Sequence, residues 1–438
     1  MIDTVSAGSA VKCPAQASPQ LSRFLQKRLP FDWRFPLAAV LTGLLAGLAG
    51  MVLALALHAI QHIAFGYSLD AVIGHISFLE GVQAAEPTRR LAVLLTCGVV
   101  AGVGWWLVYR FGRPLVAIRK AVANPEMEMP FFATLGHALL QIITVALGSP
   151  LGREVAPREV GALLGGYFGR TLGLSLEQVK ILIACGAGAG LASVYNVPFA
   201  GALFVMEVLL VTFSVQVAVP ALLTSAIGAY VAWLGLGDES QYVLPPLKFG
   251  VSLVAWAAIC APVFGVAGHY YGHLAAWARK AAPRRASIIV YCIVAFGMIG
   301  LLAMAFPQLP GNGKGPIQLG LRGDLSINLA VTLLVLKLFA TTLSLRAGAE
   351  GGLLTPGMTI GALLAIILGA VWNMLGFLSI AMGAFALIGA SAFLSVSMSM
   401  PLTAIALAFE FTGANHDFYI PILIAVSLAT ATAKWIKR

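Results

Sequence analysis

Long apolar runs follow one another along almost the whole chain, near residues 36–64, 91–109, 131–147, 180–212, 216–236, 249–278, 287–306, 326–345, 356–377, 378–398 and 418–432. A helix needs roughly 20 apolar residues to cross a bilayer. Several runs reach that length and several fall short. Of 438 residues, 60% are hydrophobic and 10% charged, and mean hydropathy is +0.92. Soluble domains carry about 25% charged residues, so this chain has too little polar surface to cover its apolar bulk in water. The pattern predicts an all-α polytopic membrane protein. The short runs, interrupted by Gly and Pro, predict tilted helices that stop inside the membrane. Backbone freed at such breaks has to be buried in protein or line a cavity.

The net charge of +10 is not a nucleic-acid signal, because it sits in short connections: Arg110 to Lys120, Arg279 to Arg285, and Lys434, Lys437 and Arg438. Basic connections mark the cytoplasmic side. Residues 1–35 hold Lys12, Arg23, Lys27, Arg28 and Arg34, show no cleavable signal pattern, and are expected to form a cytoplasmic N-terminal segment. One crossing puts the 65–88 connection, with Asp70, Glu80 and Glu86, outside. The next returns the chain to the Arg110–Lys120 cluster. Both termini are therefore predicted to be cytoplasmic. Cys13, Cys97, Cys185, Cys260 and Cys292 have no metal-ligand spacing and read as small packing residues. No metal cluster, cofactor motif or catalytic triad can be drawn from the seven His or the carboxylates, which argues against an enzyme. GNGKGP (311–316) lacks the phosphate-loop spacing.

Two distant regions are alike. GAGAGLASVYNVPFAGALFVME (186–207) matches GASAFLSVSMSMPLTAIALAFE (389–410), pairing Gly186 with Gly389, Pro198 with Pro401 and Glu207 with Glu410 at one offset of 203. Upstream, GREVAPREVGALL (152–164) faces GAEGGLLTPGMTIGALL (348–364), with the GALL tetrads at an offset of 200. Duplicated halves with interrupted helices point to a transporter or channel whose site lies where the halves meet. The first half spans about 36–236 and the second about 249–432.

In SPLGREVAPREVGALLGG (149–166), Pro150 and Gly152 end what precedes, and a helix can start around Glu154 to Pro157. The Gly348–Pro356 segment repeats this. A helix N-terminus presents free N–H groups and a positive dipole end, which suit an anion. Glu154 is an intramembrane carboxylate, costly and functional by default. Its charged form can occupy the anion site and protonation would release it, making it a gate and proton carrier. The alternative is a structural pair with Arg153 or Arg158. Glu159 reads as a packing or ion-pair residue. Glu207 and Glu410 are expected to be structural, each where a helix meets cytoplasmic water. Glu350 either guides anions or caps the second helix. Thr355 either donates its hydroxyl to the anion or caps locally.

GREVAP resembles the GREGP motif of the CLC anion channel and transporter family. GGLLTP (351–356) resembles its GGIFAP-type segment, 186–207 its signature after GREGP, and EFTG (410–413) its EMTD-type segment, so the likeness covers roughly 36–432. It implies a CLC-type inverted repeat, a homodimer with a separate pore in each subunit, Glu154 as the gating glutamate, and Leu353 and Leu354 backbone facing the anion. The expected anion-binding set is Gly112, Arg113, Pro114, Gly152, Arg153, Val155, Ala156, Leu353, Leu354 and Thr355. There are departures. Arg113, in Gly112 to Val116, stands where the family has a chloride-contacting serine. Val208 stands at its inner proton glutamate, and Leu354 at its phenylalanine. The chain ends before the segment with the pore tyrosine, and no cytoplasmic regulatory domain is expected. Loss of the serine and inner glutamate, with Thr355, is similar to the branch that exports fluoride in exchange for protons. Some of that branch carry a glutamate within this second motif, and Glu350 is close to that position. The expectation is thus fluoride export by proton antiport. The alternative is a chloride/proton antiporter or a passive, voltage-gated type chloride channel of the same family.

Overall fold

The computed structural model describes residues 33–68, 76–247, 249–376 and 379–437. Cys13, Lys12 to Arg28, Asp70 and Arg438 lie outside them. Among the described residues every regular element is helical. The one strand-like contact is an isolated antiparallel bridge between Gly152 and Gly352. The first half holds α1 (Arg34–Phe65), α2 (Phe78–Ala84), α3 (Pro87–Phe111), α4 (Ile118–Ala123), α5 (Phe131–Ala146), α6 (Val155–Thr171), α7 (Leu176–Tyr195), α8 (Pro198–Phe204) and α9 (Val215–Leu236). The second holds α10 (Val251–Lys280), α11 (Ser287–Ala305), α12 (Lys314–Arg322), α13 (Ile327–Ala347), α14 (Leu354–Met374), α15 (Met382–Ser397), α16 (Pro401–Thr412) and α17 (Tyr419–Ile436). Nine helices among the described residues are long and apolar enough to cross a membrane, and several others are short and apolar, as the uneven run lengths predicted.

The interruptions have local causes. Gly148 and Gly348 end α5 and α13 with φ of 97° and 103°, a left-handed conformation that a side chain would disfavour. At each, the next N–H reaches back five residues (Ser149 to Thr144 O, Ala349 to Ser344 O, both 3.0 Å), closing the helix with a Schellman motif. Asn196 and Ser399 make the second matched pair of breaks at φ 56° and 55°, two residues before Pro198 and Pro401. Both breaks recur at the offsets read from the repeat.

Helices α6 and α7 lie close because Gly161 faces Gly186 and Gly190 faces the carbonyl of Pro157. A Cβ on any of these glycines would run into the opposing backbone. Gly361 and Gly389 repeat the contact between α14 and α15. Small residues at such crossings are how membrane helices gain packing area.

Helices α8 and α16 meet antiparallel at the junction of the halves. Glu207, at the end of α8 in a π-turn spanning Val205–Leu209, accepts from Leu402 N–H, Thr403 N–H and the Thr403 hydroxyl at 2.8, 2.8 and 2.7 Å. Glu410 accepts from Phe199 and Ala200 N–H at 2.8 and 2.7 Å. Each glutamate therefore caps the helix of the other half. This corrects the expectation that both meet water on one side: the carboxylates sit at opposite ends of an antiparallel pair.

Candidate functional site

The two Gly-rich breaks come together. Gly152 and Gly352 exchange N–H···O bonds of 2.8 Å in both directions, which places the starts of α6 and α14 side by side. Glu154 is the residue just before α6 and is fully buried. Its Oε1 accepts from Leu354 N–H, the first of α14, at 2.9 Å. Its Oε2 accepts from the Tyr195 hydroxyl at 3.1 Å, and that hydroxyl lies 3.0 Å from Thr355 Oγ1. The carboxylate rests over Gly152 and Gly352, where a Cβ would overlap it. One helix N–H and one hydroxyl thus bond the two carboxylate oxygens over glycine backbone, with the Thr355 hydroxyl one step behind on Tyr195; such donors are the surroundings a small dehydrated anion would need.

The alternative of an ion pair to Arg153 or Arg158 is not what the geometry holds. Arg153 donates to Val194 O and Gln241 Oε1, both at 3.4 Å, and lies over the Tyr195 ring at 5.2 Å. Arg158 lies over Phe204 at 4.2 Å. Neither forms an ion pair with Glu154 among the described residues.

Of the residues expected from sequence, Gly152, Glu154, Leu354 and Thr355 form the site itself. Leu353 and Ala156 are buried beside it and Val155 is half-buried. Thr355 is held by Tyr195 rather than capping its own helix. Glu350 does not cap α14 either; it accepts from the Tyr109 hydroxyl at 3.2 Å. Gly112, Arg113 and Pro114 are exposed. They line a groove of about 1080 Å³ together with residues of α5 and the far end of α6. Tyr195 escaped sequence reading. The signal was there: a hydroxyl-bearing aromatic at the end of a Gly/Ala helix, at the place where the second copy has Met398.

The chain matches the model of the voltage gated chloride channel family over residues 93–434. The H(+)/Cl(-) exchange transporter ClcA of Vibrio campbellii is 28% identical over 409 residues, covering 88% of this chain and 83% of that protein. The protein of the same name from Vibrio cholerae is 27% identical over 432 residues, 92% of this chain and 87% of that one. Among solved structures, a slow cyanobacterial Cl-/H+ antiporter superposes with a TM-score of 0.78 at 21% identity, covering 92% of this chain and 95% of that one. A CLC-type fluoride/proton antiporter superposes at 0.65 and 19% identity, covering 91% and 95%.

Proposed function

Because the chain belongs to the voltage gated chloride channel (CLC) family, we propose that it is a multi-pass membrane transporter, not an enzyme, that exchanges chloride for protons. The observation that carries this is the Glu154 carboxylate seated on the N–H of Leu354 and the hydroxyl of Tyr195. A carboxylate there occupies an anion's place. Protonation removes its charge and weakens both bonds. A chloride ion then takes the N–H and hydroxyl donors, and deprotonation of Glu154 expels it. One group alternates with the anion and carries the proton, so the two flows run in opposite directions. The relatives over most of the chain's length are named as chloride/proton exchangers, which supports chloride over the fluoride expected from the sequence.

Fluoride remains the second reading on a specific observation. Arg113 stands where the family has its serine, and two hydroxyls, Tyr195 and Thr355, converge beside the carboxylate. Fluoride accepts stronger hydrogen bonds than chloride does. By resemblance two copies pair, each with its own path, and by the positive-inside pattern both termini face the cytoplasm.

The test is flux from proteoliposomes with chloride and fluoride electrodes and a pH probe. Chloride efflux should alkalinise the outside as protons enter. Fluoride moving faster than chloride would reverse the assignment of the ion. Chloride flux without proton movement would make the protein a passive channel. Glu154→Gln should abolish proton movement, and coupling that persists in this variant would remove Glu154 from its role.

A further inference from the structure

The register that matches the two glutamate loops also pairs His137 with Lys337, Gln141 with Thr341 and Glu159 with Thr359, at an offset of 200. In the second half Lys337 and Thr359 tie down backbone. Lys337 Nζ donates to the carbonyls of Leu309 and Gly311, each at 2.7 Å, and the Thr359 hydroxyl bonds Gly313 O at 3.2 Å. In the first half the equivalent side chains bond one another. His137 Nδ1 lies 2.8 Å from Glu159 Oε2. Gln141 Nε2 donates to the same oxygen at 3.0 Å and lies 2.9 Å from Nδ1. His137 and Gln141 are buried, Glu159 is half-buried, and Gln141 Oε1 is enclosed with no protein partner. A titratable pair inside the apolar layer is costly, and its default reading is functional.

Its position gives the function. Glu159 follows Glu154 by five residues on one helix, a rise of about 7.5 Å. Beyond it, Ala133 and Leu163, each one turn from the pair, and Gly136, next to His137, line the 1080 Å³ groove that opens beside Arg113 and Arg170. The pair stands between that groove and the gate. The fields of Glu350 and Arg284 reach His137 as well as that of Glu159, and Arg158 lies in the fields of both Glu154 and Glu159.

We infer that His137 and Glu159 form a proton-transfer pair that loads Glu154 from the groove. With Nδ1–H donating to the Glu159 carboxylate, His137 can take a proton from groove water at Nε2. The Nδ1 proton then crosses the 2.8 Å contact to Oε2, and Glu159 releases it through water to Glu154. One proton enters and one leaves. The pair returns to its starting charge as the other imidazole tautomer. Gln141 holds Glu159 in place and is a positioning residue.

This inference rests on the proton-exchange reading, and one experiment separates the two. Full-length protein in chloride-loaded proteoliposomes is followed by chloride and pH electrodes on the same vesicles. Glu159→Gln and His137→Asn should each lower proton flux by about a hundredfold, the low end for loss of a general acid–base, with chloride flux falling less, so that the proton-to-chloride ratio drops. Glu159→Asp, which keeps the carboxylate, should recover part of the proton flux. Wild-type vesicles that move chloride without protons overturn the exchange reading and this inference with it. Coupling lost in Glu154→Gln but intact in both Glu159→Gln and His137→Asn overturns this inference alone. If Glu159→Gln loses both fluxes through misfolding, His137→Asn decides: an unchanged proton-to-chloride ratio in that variant also overturns it.

Discussion

A carboxylate oxygen and a halide ask for the same partners, and in the proposed exchange Glu154 takes the place of the halide. Its two oxygens take one backbone N–H and one phenol, both buried. Gly352 makes room, since a Cβ there would overlap the carboxylate. The same phenol touches Thr355, so Tyr195 links donors from both halves. A net hydrogen bond is worth about 0.5–1.5 kcal/mol, so Tyr195→Phe should weaken chloride binding by roughly twofold to tenfold, read by calorimetry in detergent. A larger loss is expected for fluoride, which accepts stronger hydrogen bonds than chloride. Unchanged affinity would mean that the hydroxyl serves the carboxylate but not the ion. Glu154 was legible as a candidate from a carboxylate in a stretch otherwise poor in acids; Tyr195 was not, because its partners lie 41 and 160 positions away.

At the scale of elements, the breaks matter more than the helices. Gly148, Gly348, Asn196 and Ser399 stop four helices in the left-handed conformation, and each stop leaves donors or acceptors to be satisfied elsewhere. Glu207 and Glu410 meet that need across the junction, each at the start of the other's helix. Hydrogen bonds to a charged group contribute about 1.5–3 kcal/mol, so Glu207→Gln should lower the thermal unfolding midpoint in detergent. Its proton-to-chloride ratio should stay at the wild-type value, because Glu207 is committed to α16 and not to the proton path. A changed ratio would return Glu207 to the transport machinery. The positions of the breaks could be read from Gly and Pro. The capping exchange could not, since each glutamate reads alone as a helix end near water.

For the whole molecule, the antiparallel bridge at Gly152–Gly352 and the antiparallel α8–α16 pair are what a two-fold relation between the halves produces, and the superposition on CLC structures fits an inverted repeat. Two of the basic connections lie near one another. Arg284 lies over the Tyr109 ring at 5.1 Å, joining the 281–286 connection to the end of α3. The positive-inside pattern predicts that reporters fused at either terminus report the cytoplasm. A terminus accessible from outside would reverse the direction of proton loading. The sequence by itself determined the solvent, the helical class and the duplication, and marked Glu154 as the candidate gate. These follow from composition and from short patterns in which neighbours along the chain decide the outcome. Only the tertiary structure decided which donors face Glu154, that Arg113 lines a groove, and that His137 meets Glu159. Those contacts join residues far apart in the chain, and their geometry is set by how closely glycine lets helices approach.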